Sequence, residues 1–305
     1  SYGAALVELG KEHENLVVLD ADLSGSTMTK GFAKAHPERF FNMGIAEQNM
    51  VATAAGMAAC GKIPFVNTFT VFLTSLGLLS ARDQICYANL NVKFGGAYCG
   101  MSDALDGATH HATEDIAVMR SLPNMTVLVP SDATSTRWAT KYAVDTYGPM
   151  YLRLSRDVYP DLYDENTKFE CGKGAIVRDG TDVTVIACGI LVHKALEAAE
   201  QMAARGVSVR VVDMYSIKPI DRELILRCAQ ETGAIVTAEE HNIYGGLGSA
   251  VAEVLAWGGA AAPTEFVGIP DMFTKTGKYT ELLAKYGVDA AGVVRGIERV
   301  LARKH

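Results

Sequence analysis

The sequence lacks three features that would set it apart from an ordinary enzyme-sized globular chain. It has no cluster of Lys and Arg, no CxxC pair or metal-type spacing among its six cysteines, and no apolar run of the ~20 residues that a transmembrane helix needs. These absences argue against a nucleic-acid partner, a membrane partner and a metal site of its own. We expect reduced thiols, no signal peptide and a cytoplasmic location, since the opening residues carry no basic stretch followed by an apolar one.

What is present suits an α/β protein of about two domains. The chain has 305 residues, 49% hydrophobic and 21% charged, with a net charge of −7. Short apolar runs alternate with helical patterns, which favours a mostly parallel sheet. Helices are predicted over 46–60, ended by Gly61, and over 73–90. The strands predicted in the first half are 16–20, 63–67, 92–96, 126–130 and 150–154.

A polar, proline-bearing segment over 157–166 reads as a linker and divides the chain into two consecutive α/β domains, 1–160 and 168–305. Asp221 is a predicted N-cap in the second, smaller domain. The strands predicted there are 182–187, 207–212, 234–238 and 264–267, and the helices are 193–204, 222–231 and 248–257.

One carboxylate and two aromatic residues follow neighbouring strands. Glu47 opens a predicted helix just after a short strand that ends at Gly44, and Phe69 and Phe72 come at the end of the next strand. The carboxyl ends of parallel strands meet at one edge of a sheet, so these side chains are expected to lie close together. A carboxylate beside aromatic rings can hold and tautomerise an aminopyrimidine. Taken singly, they are also consistent with a helix-start glutamate and with core packing.

Three further segments carry polar groups to the same edge. Asp22 and Ser26 follow the first strand, Asp106 and His110 stand in an Asp-Gly-Ala-Thr-His run, and Arg156 closes the last strand of the first domain. Arg suits bidentate phosphate binding. These polar residues are also consistent with ordinary polar turns and with a salt bridge at the domain linker, without any role in binding.

These motifs, and nearly all of the chain, resemble the C-terminal half of transketolase, a thiamine-diphosphate enzyme. The resemblance implies a pyrimidine-binding domain of mostly parallel sheet, followed by a smaller transketolase C-terminal-type domain. It implies that Glu47 shares a proton with the cofactor's pyrimidine ring, that Phe69 and Phe72 stack on that ring, and that Asp22 lies near the thiazolium ring.

For the substrate, the resemblance implies that His110 is catalytic and that Asp106 binds a hydroxyl. Ser26 and Arg156 would hold the phosphate of a sugar phosphate. The sequence departs from the best-known members at Tyr98, which stands where a phosphate-binding His is usual and bears no positive charge. The glycine-rich turn over 245–248 is interpreted as structural, because a lone Gly-rich turn is weak support for a nucleotide loop.

The cofactor's Mg²⁺–diphosphate signature, Gly-Asp-Gly followed by Asn, does not occur in the sequence. The simplest hypothesis is therefore a split transketolase, in which a separate N-terminal-type subunit with that signature supplies the Mg²⁺ ligands in an α2β2 assembly. A shortened chain is the alternative.

The expected reaction moves a two-carbon ketol unit from a ketose phosphate to an aldose or aldose phosphate. The other functional hypotheses are a deoxyxylulose-phosphate synthase-like chain, a 2-oxoacid dehydrogenase β-like chain and a non-catalytic scaffold.

Overall fold

A computed structural model describes residues 1–304, which form two consecutive α/β units. The strands of the first unit are β1 (Leu16–Asp20), β2 (Phe40–Asn42), β3 (Ile63–Phe69), β4 (Lys93–Ala97), β5 (Thr126–Leu128) and β6 (Met150–Arg153). Its helices are α1 (Tyr2–Glu12), α2 (Lys30–Ala35), α3 (Glu47–Ala59), α4 (Thr70–Ser75), α5 (Leu78–Ser80), α6 (Asp115–Ser121) and α7 (Ala133–Asp145).

The second unit follows a connection, residues 154–174, that forms no helix or strand. Its strands are β7 (Ala175–Arg178), β8 (Val183–Ala187), β9 (Val209–Asp213), β10 (Ser216–Lys218), β11 (Ile235–Asn242) and β12 (Thr264–Ile269). Its helices are α8 (Ile190–Ala203), α9 (Arg222–Thr232), α10 (Leu247–Gly258), α11 (Tyr279–Tyr286) and α12 (Ala290–Leu301). The domain boundaries at 160 and 168 stay a prediction.

The first sheet has the strand order β10-β5-β6-β4-β3-β1-β2 and is parallel except for β10. Strand β10 comes from the second unit and pairs antiparallel with β5, which ties the two units together. The chain leaves β1 toward β2 and returns to the other side at β3, so the strand order reverses between β1 and β3. Open α/β sheets bind ligands at the carboxyl ends of strands next to such a reversal.

The second sheet has the order β12-β11-β8-β9-β7 and is parallel except for β7. Its central strands are buried on both faces, between α8 and α12 on one side and α9 and α10 on the other. The predicted α/β class with two mostly parallel sheets is confirmed. Within residues 1–304, no helix is both long and apolar enough to span a membrane.

Most predicted elements occur within two or three residues of their expected bounds, and Asp221 caps α9 by accepting a hydrogen bond from the Leu224 N–H at 3.0 Å. The continuous helix predicted over 73–90 is wrong. That stretch forms the end of α4, the short α5 and a π-helical turn over Ala81–Cys86. Gly77, a weak helix former, joins α4 to α5, and a Cβ there would lie 2.8 Å from the Leu73 carbonyl oxygen.

A buried ion pair of the first unit is hydrogen-bonded to the second unit. The Arg153 guanidinium, at the end of β6, donates to both carboxylate oxygens of Asp115, at 2.7 and 3.0 Å. Its Nη2 also donates to the Glu240 carbonyl oxygen of β11 at 2.8 Å, and the Tyr151 hydroxyl donates to Asp115 at 2.7 Å. Arg153 holds the pKa of the Asp115 carboxyl below its usual range, despite the opposing effect of burial.

We expect Asp115→Asn to lower the free energy of unfolding by about 3–5 kcal/mol, because it leaves the buried Arg153 guanidinium without its counter-charge. The measurement is chemical denaturation at neutral pH. Asp145→Asn is the control, since Asp145 forms an exposed pair with Lys141 and its loss should cost at most about 1 kcal/mol. Equal losses in the two variants would contradict the importance of the buried pair.

Candidate active site

Glu47 is the buried acid at the strand edge where the sheet order reverses. It is the first residue of α3 and is 4% exposed. Its Oε1 accepts a hydrogen bond from the Thr68 hydroxyl at 3.2 Å, and Thr68 immediately precedes Phe69 in β3. Its other carboxylate oxygen accepts no hydrogen bond from the described residues, and Glu47 lines a cavity of about 530 Å³. One carboxylate oxygen is therefore free to share a proton with a bound group.

Aromatic rings form a cluster at the adjoining ends of β3 and β4. Phe69 stacks on Tyr98 with ring centroids 4.6 Å apart, and on Phe72 at 6.1 Å. The His110 ring meets Phe72 edge-on at 5.3 Å. Phe69 is buried, whereas Phe72, Tyr98 and His110 are half-buried. The cluster thus offers partly exposed ring surface on which a flat heterocycle can stack.

Two of the predicted site residues hold strained backbone conformations. Asp22 and Tyr98 have backbone φ angles of +67° and +59°. These angles lie in the left-handed region, which residues other than Gly seldom adopt. Each follows the end of a strand, β1 and β4 respectively. Asp22 is exposed, and its carboxylate accepts a hydrogen bond from the Asn42 amide at 2.7 Å. Such outliers concentrate at functional sites, where the surrounding structure compensates their cost.

The loop that carries Ser26 is shaped by Asp20, at the end of β1. Asp20 is buried and accepts hydrogen bonds from the Thr27 and Thr29 hydroxyls at 2.6 and 2.8 Å. Burial raises the pKa of its carboxyl. Ser26, Tyr98 and Arg156 line one cavity of about 360 Å³. The structure therefore brings these three predicted substrate contacts together.

Arg156 already has an acidic neighbour. Its Nη1 donates to Asp103 Oδ1 at 3.2 Å, and its guanidinium lies over the Tyr98 ring, 5.2 Å from the centroid. Asp103 is buried, whereas Asp106, three residues on, is exposed. Burial and the Asp106 carboxylate raise the pKa of Asp103, and Arg156 and His110 act in the opposite direction. Sequence reasoning missed Asp103, although a second acid three residues before Asp106 is a visible signal.

Residues of the second unit form hydrogen bonds to the loop over 98–113. Glu240 Oε1 accepts from the Met101 N–H at 2.7 Å, and the Gly277 N–H donates to the Ala104 carbonyl oxygen at 3.1 Å. His111, to which the sequence analysis assigned no role, is buried and its Nδ1 contacts the Thr274 hydroxyl at 2.6 Å. Burial lowers the pKa of His111. This loop presents Tyr98, Asp106 and His110, so the second unit positions them.

Of the predicted residues, the structure places Phe69, Phe72, Tyr98 and His110 in direct contact and Arg156 beside Tyr98. The other predicted residues sit at the margins of this cluster. Glu47 is hydrogen-bonded to Thr68, next to Phe69, and Asp106 lies near Asp103. Ser26 lines the same cavity as Tyr98, whereas Asp22 pairs with Asn42.

Comparison with known proteins agrees with this arrangement. The transketolase pyrimidine-binding domain matches residues 1–161, and the transketolase C-terminal domain matches residues 172–293. The chain belongs to the transketolase family. The match to its C-terminal half, which the sequence predicts, is confirmed.

Individual relatives give the same result over the whole chain. A putative transketolase C-terminal section of Methanocaldococcus jannaschii is 46% identical over 298 residues, 97% of this chain and 93% of that protein. A 6-deoxy-6-sulfo-D-fructose transketolase subunit of Clostridium sp. (strain MSTE9) is 40% identical over 305 residues, 100% of this chain and 94% of that protein. A solved structure of a split gene transketolase, described as an inactive beta4 tetramer, superposes with a TM-score of 0.91 at 51% identity, covering 100% of this chain and 97% of that one.

Transketolases depend on thiamine diphosphate, and the pocket can be tested against that cofactor. Its aminopyrimidine needs one carboxylate that can share a proton and an aromatic face. Glu47 has a carboxylate oxygen without a hydrogen bond from the described residues, and Phe72 has a half-buried ring, so the chain carries groups of both kinds. No group of three or more His, Cys, Asp or Glu side chains in the described residues is arranged to hold a metal ion.

The contact of Glu240 with the loop predicts a pH-dependent stability for this transketolase-family chain. Burial raises the pKa of Glu240 from 4.5 to about 7, so the folded protein keeps a proton that the unfolded chain has already released. The stabilising contribution is complete below the unfolded pKa and is lost as the pH rises through about 7.

Glu240→Gln keeps a neutral hydrogen-bonding side chain at every pH. We therefore expect its melting temperature to be similar to that of the wild type at pH 5 and to exceed it increasingly up to pH 8, measured by calorimetry. Glu281→Gln, at an exposed position of the same unit, should show no pH-dependent difference. A constant gap between Glu240→Gln and the wild type from pH 5 to 8 would refute the buried titration.

Proposed function

We propose that this chain is the pyrimidine-site subunit of a thiamine-diphosphate-dependent transketolase, which moves a two-carbon ketol unit from a ketose to an aldose. The main support for this proposal is the buried Glu47 carboxylate. One of its oxygens accepts a hydrogen bond from Thr68, in the strand that ends at Phe69, and the other accepts none from the described residues. The family resemblance implies phosphorylated sugars, with Ser26 and Arg156 at the phosphate end.

Bound thiamine diphosphate would supply the carbon nucleophile that accepts and releases the ketol unit. Glu47 would hold a proton at N1′ of the aminopyrimidine, and the Thr68 hydroxyl would keep the carboxylate aimed in one direction. Phe69 and Phe72 would hold the pyrimidine ring by stacking and exclude water from Glu47. Asp22, in its left-handed conformation, is proposed to lie near the thiazolium ring.

His110 is the proposed proton carrier at the substrate carbonyl. Its Nδ1 contacts the Thr109 hydroxyl at 3.0 Å, which leaves Nε2 to donate to a carbonyl oxygen or to accept from a hydroxyl. Its imidazole packs against the Phe69 and Phe72 rings in T-shaped arrangements, which restrict its orientation. The exposed Asp106 would accept a hydrogen bond from a substrate hydroxyl.

The diphosphate and Mg²⁺ would be held by a separate N-terminal-type subunit with a Gly-Asp-Gly…Asn signature, in an α2β2 assembly. The surface around the Glu47 cavity supports such a partner, because the side chains of Ile45, Leu76 and Leu79 are apolar and 87%, 55% and 59% exposed. A cofactor site completed at an interface would bury these side chains when the subunits meet.

The first experiment is to co-purify the chain with its candidate partner and titrate thiamine diphosphate and Mg²⁺ by calorimetry, with each chain alone as control. We expect tight binding by the pair and weak or no binding by either chain alone. No binding by the pair would favour a non-catalytic scaffold.

We expect Glu47→Gln, assembled with the partner, to lower kcat by at least about a hundredfold, because an amide cannot exchange a proton with the pyrimidine nitrogen. Turnover is followed as ketose formation at saturating cofactor. Glu12→Gln, on an exposed position of α1, is the matched control and should keep wild-type turnover. Near wild-type turnover by Glu47→Gln would contradict the proposed role.

A further inference from the structure

The ring of His111 crosses the neck of the turn that carries two of the proposed substrate contacts. This turn, residues 104–110, includes Asp106 and His110. The Asp103 carbonyl oxygen, just before the turn, lies 3.2 Å from Nε2 of His111, just after it. The same oxygen accepts a hydrogen bond from the Asp106 N–H at 3.1 Å. The imidazole at one end of the turn is therefore bonded to the backbone at the other end.

The second ring nitrogen of His111 bonds to the second unit. Its Nδ1 lies 2.6 Å from the hydroxyl oxygen of Thr274, and the two residues are buried, at 3% and 5% exposed. A carbonyl oxygen can only accept, so Nε2 carries a proton, and in the neutral ring Nδ1 then accepts from the Thr274 hydroxyl. Burial lowers the pKa of His111, which favours this neutral form.

The position of His110 is tied to that of His111 through the backbone. The N–H groups of both residues donate to the Gly107 carbonyl oxygen, at 2.9 and 3.1 Å. A shift of His111 would therefore move His110 relative to Phe72, whose ring centroid lies 5.3 Å from that of its imidazole. Displacing a reacting group by about 1 Å can lower a rate about a hundredfold. Small movements at the neck of the turn thus matter for the proposed proton carrier.

We propose that His111 is a positioning residue for the transfer reaction, whose neutral imidazole closes the 104–110 turn and anchors it to the second unit. It would thereby set where His110 and Asp106 meet the substrate. The ring does not touch the substrate itself, because it is buried and both of its nitrogens are already bonded. This inference rests on the proposed function and adds one residue to it.

The first test compares variants of His111 in the assembled complex. His111→Phe keeps a flat ring but forms no hydrogen bond through it, and we expect kcat/KM for the ketose donor to fall at least about tenfold. His111→Gln offers one donor and one acceptor, as the neutral imidazole does, and should stay close to the wild type. His13→Phe is the matched control, since His13 lies just before the amino end of β1, opposite the proposed site.

Cofactor affinity separates positioning from a general loss of structure. Thiamine diphosphate is proposed to bind at Glu47, whose carboxylate accepts its hydrogen bond from Thr68 and not from the turn. Its affinity for the assembled complex, measured by calorimetry, should therefore be unchanged in His111→Phe. A kcat/KM that falls together with the cofactor affinity would indicate a purely structural residue and would overturn the inference.

Variants of Thr274 test the anchor while the imidazole stays in place. Thr274→Val removes the hydroxyl with little change in side-chain size, and we expect kcat/KM to fall, as in His111→Phe. Thr274→Ser keeps the hydroxyl and should keep wild-type values. Thr181→Val, at an exposed position of the second unit, is the control. This pair of variants keeps the inference testable if His111→Phe folds poorly.

A measurement on the chain alone tests the closed turn without the reaction. Amide hydrogen exchange over residues 104–110 is followed by mass spectrometry. We expect it to be at least about fivefold faster in His111→Phe and Thr274→Val than in the wild type, because each variant loses hydrogen bonds that hold the turn.

Unchanged exchange in both variants, or faster exchange with an unchanged kcat/KM, would overturn the inference. Absence of ketol transfer by the wild-type complex, alongside faster exchange in both variants, would instead overturn the proposed function and with it this role, although the closed turn would stand.

Discussion

The arrangement of the site depends on the buried ion pair between Arg153 and Asp115. Arg153 lies at the end of β6 and donates hydrogen bonds to the carboxylate of Asp115, at the first turn of α6. It also donates to the carbonyl oxygen of Glu240 in β11. Three separate elements therefore meet at one side chain. Because a buried cation needs its partners nearby, these elements are held in a fixed relation. The loop over 98–113, which carries much of the proposed site, runs from β4 to α6 and so ends at this anchor.

The second unit acts on the same loop from the other side. Glu240 holds the Met101 N–H, Thr274 holds His111, and Gly277 holds the Ala104 carbonyl oxygen. Space is equally restricted, because a Cβ at Gly107 would lie 2.4 Å from the Thr276 hydroxyl oxygen. A loop that is already fixed at several points loses little conformational entropy when a ligand binds to it. This gives the second unit a physical role in the site although it provides none of the proposed contact residues.

The sequence predicts those parts of the fold and of the candidate site that depend on contacts between residues close together in the chain. Strand ends and the residues just after them can be recognised from short patterns, and parallel strands place those residues at one edge; hence Glu47, Phe69 and Phe72 could be grouped in advance. The pairing of Asp103 with Arg156 joins positions 53 residues apart, and that of Met101 with Glu240 joins positions 139 apart. Such contacts depend on the register of loops and domains, which no local pattern encodes. The broken helix after Ser75 shows the converse, because an apolar helical pattern continued across Gly77 although the backbone turned there.

The charge at the cavity proposed for the substrate depends on two features. Tyr98 removes a cation by its chemical type, and Asp103 offsets another by its position, since the guanidinium it holds lies over the Tyr98 ring. A tyrosine ring attracts a guanidinium through its face, so the two features also support each other's geometry. The left-handed backbone at Tyr98 directs that ring against Phe69, within the aromatic cluster. Tyr98 thus contacts both Phe69, in the aromatic cluster, and the guanidinium of Arg156. A change of residue type at position 98 would therefore alter both contacts.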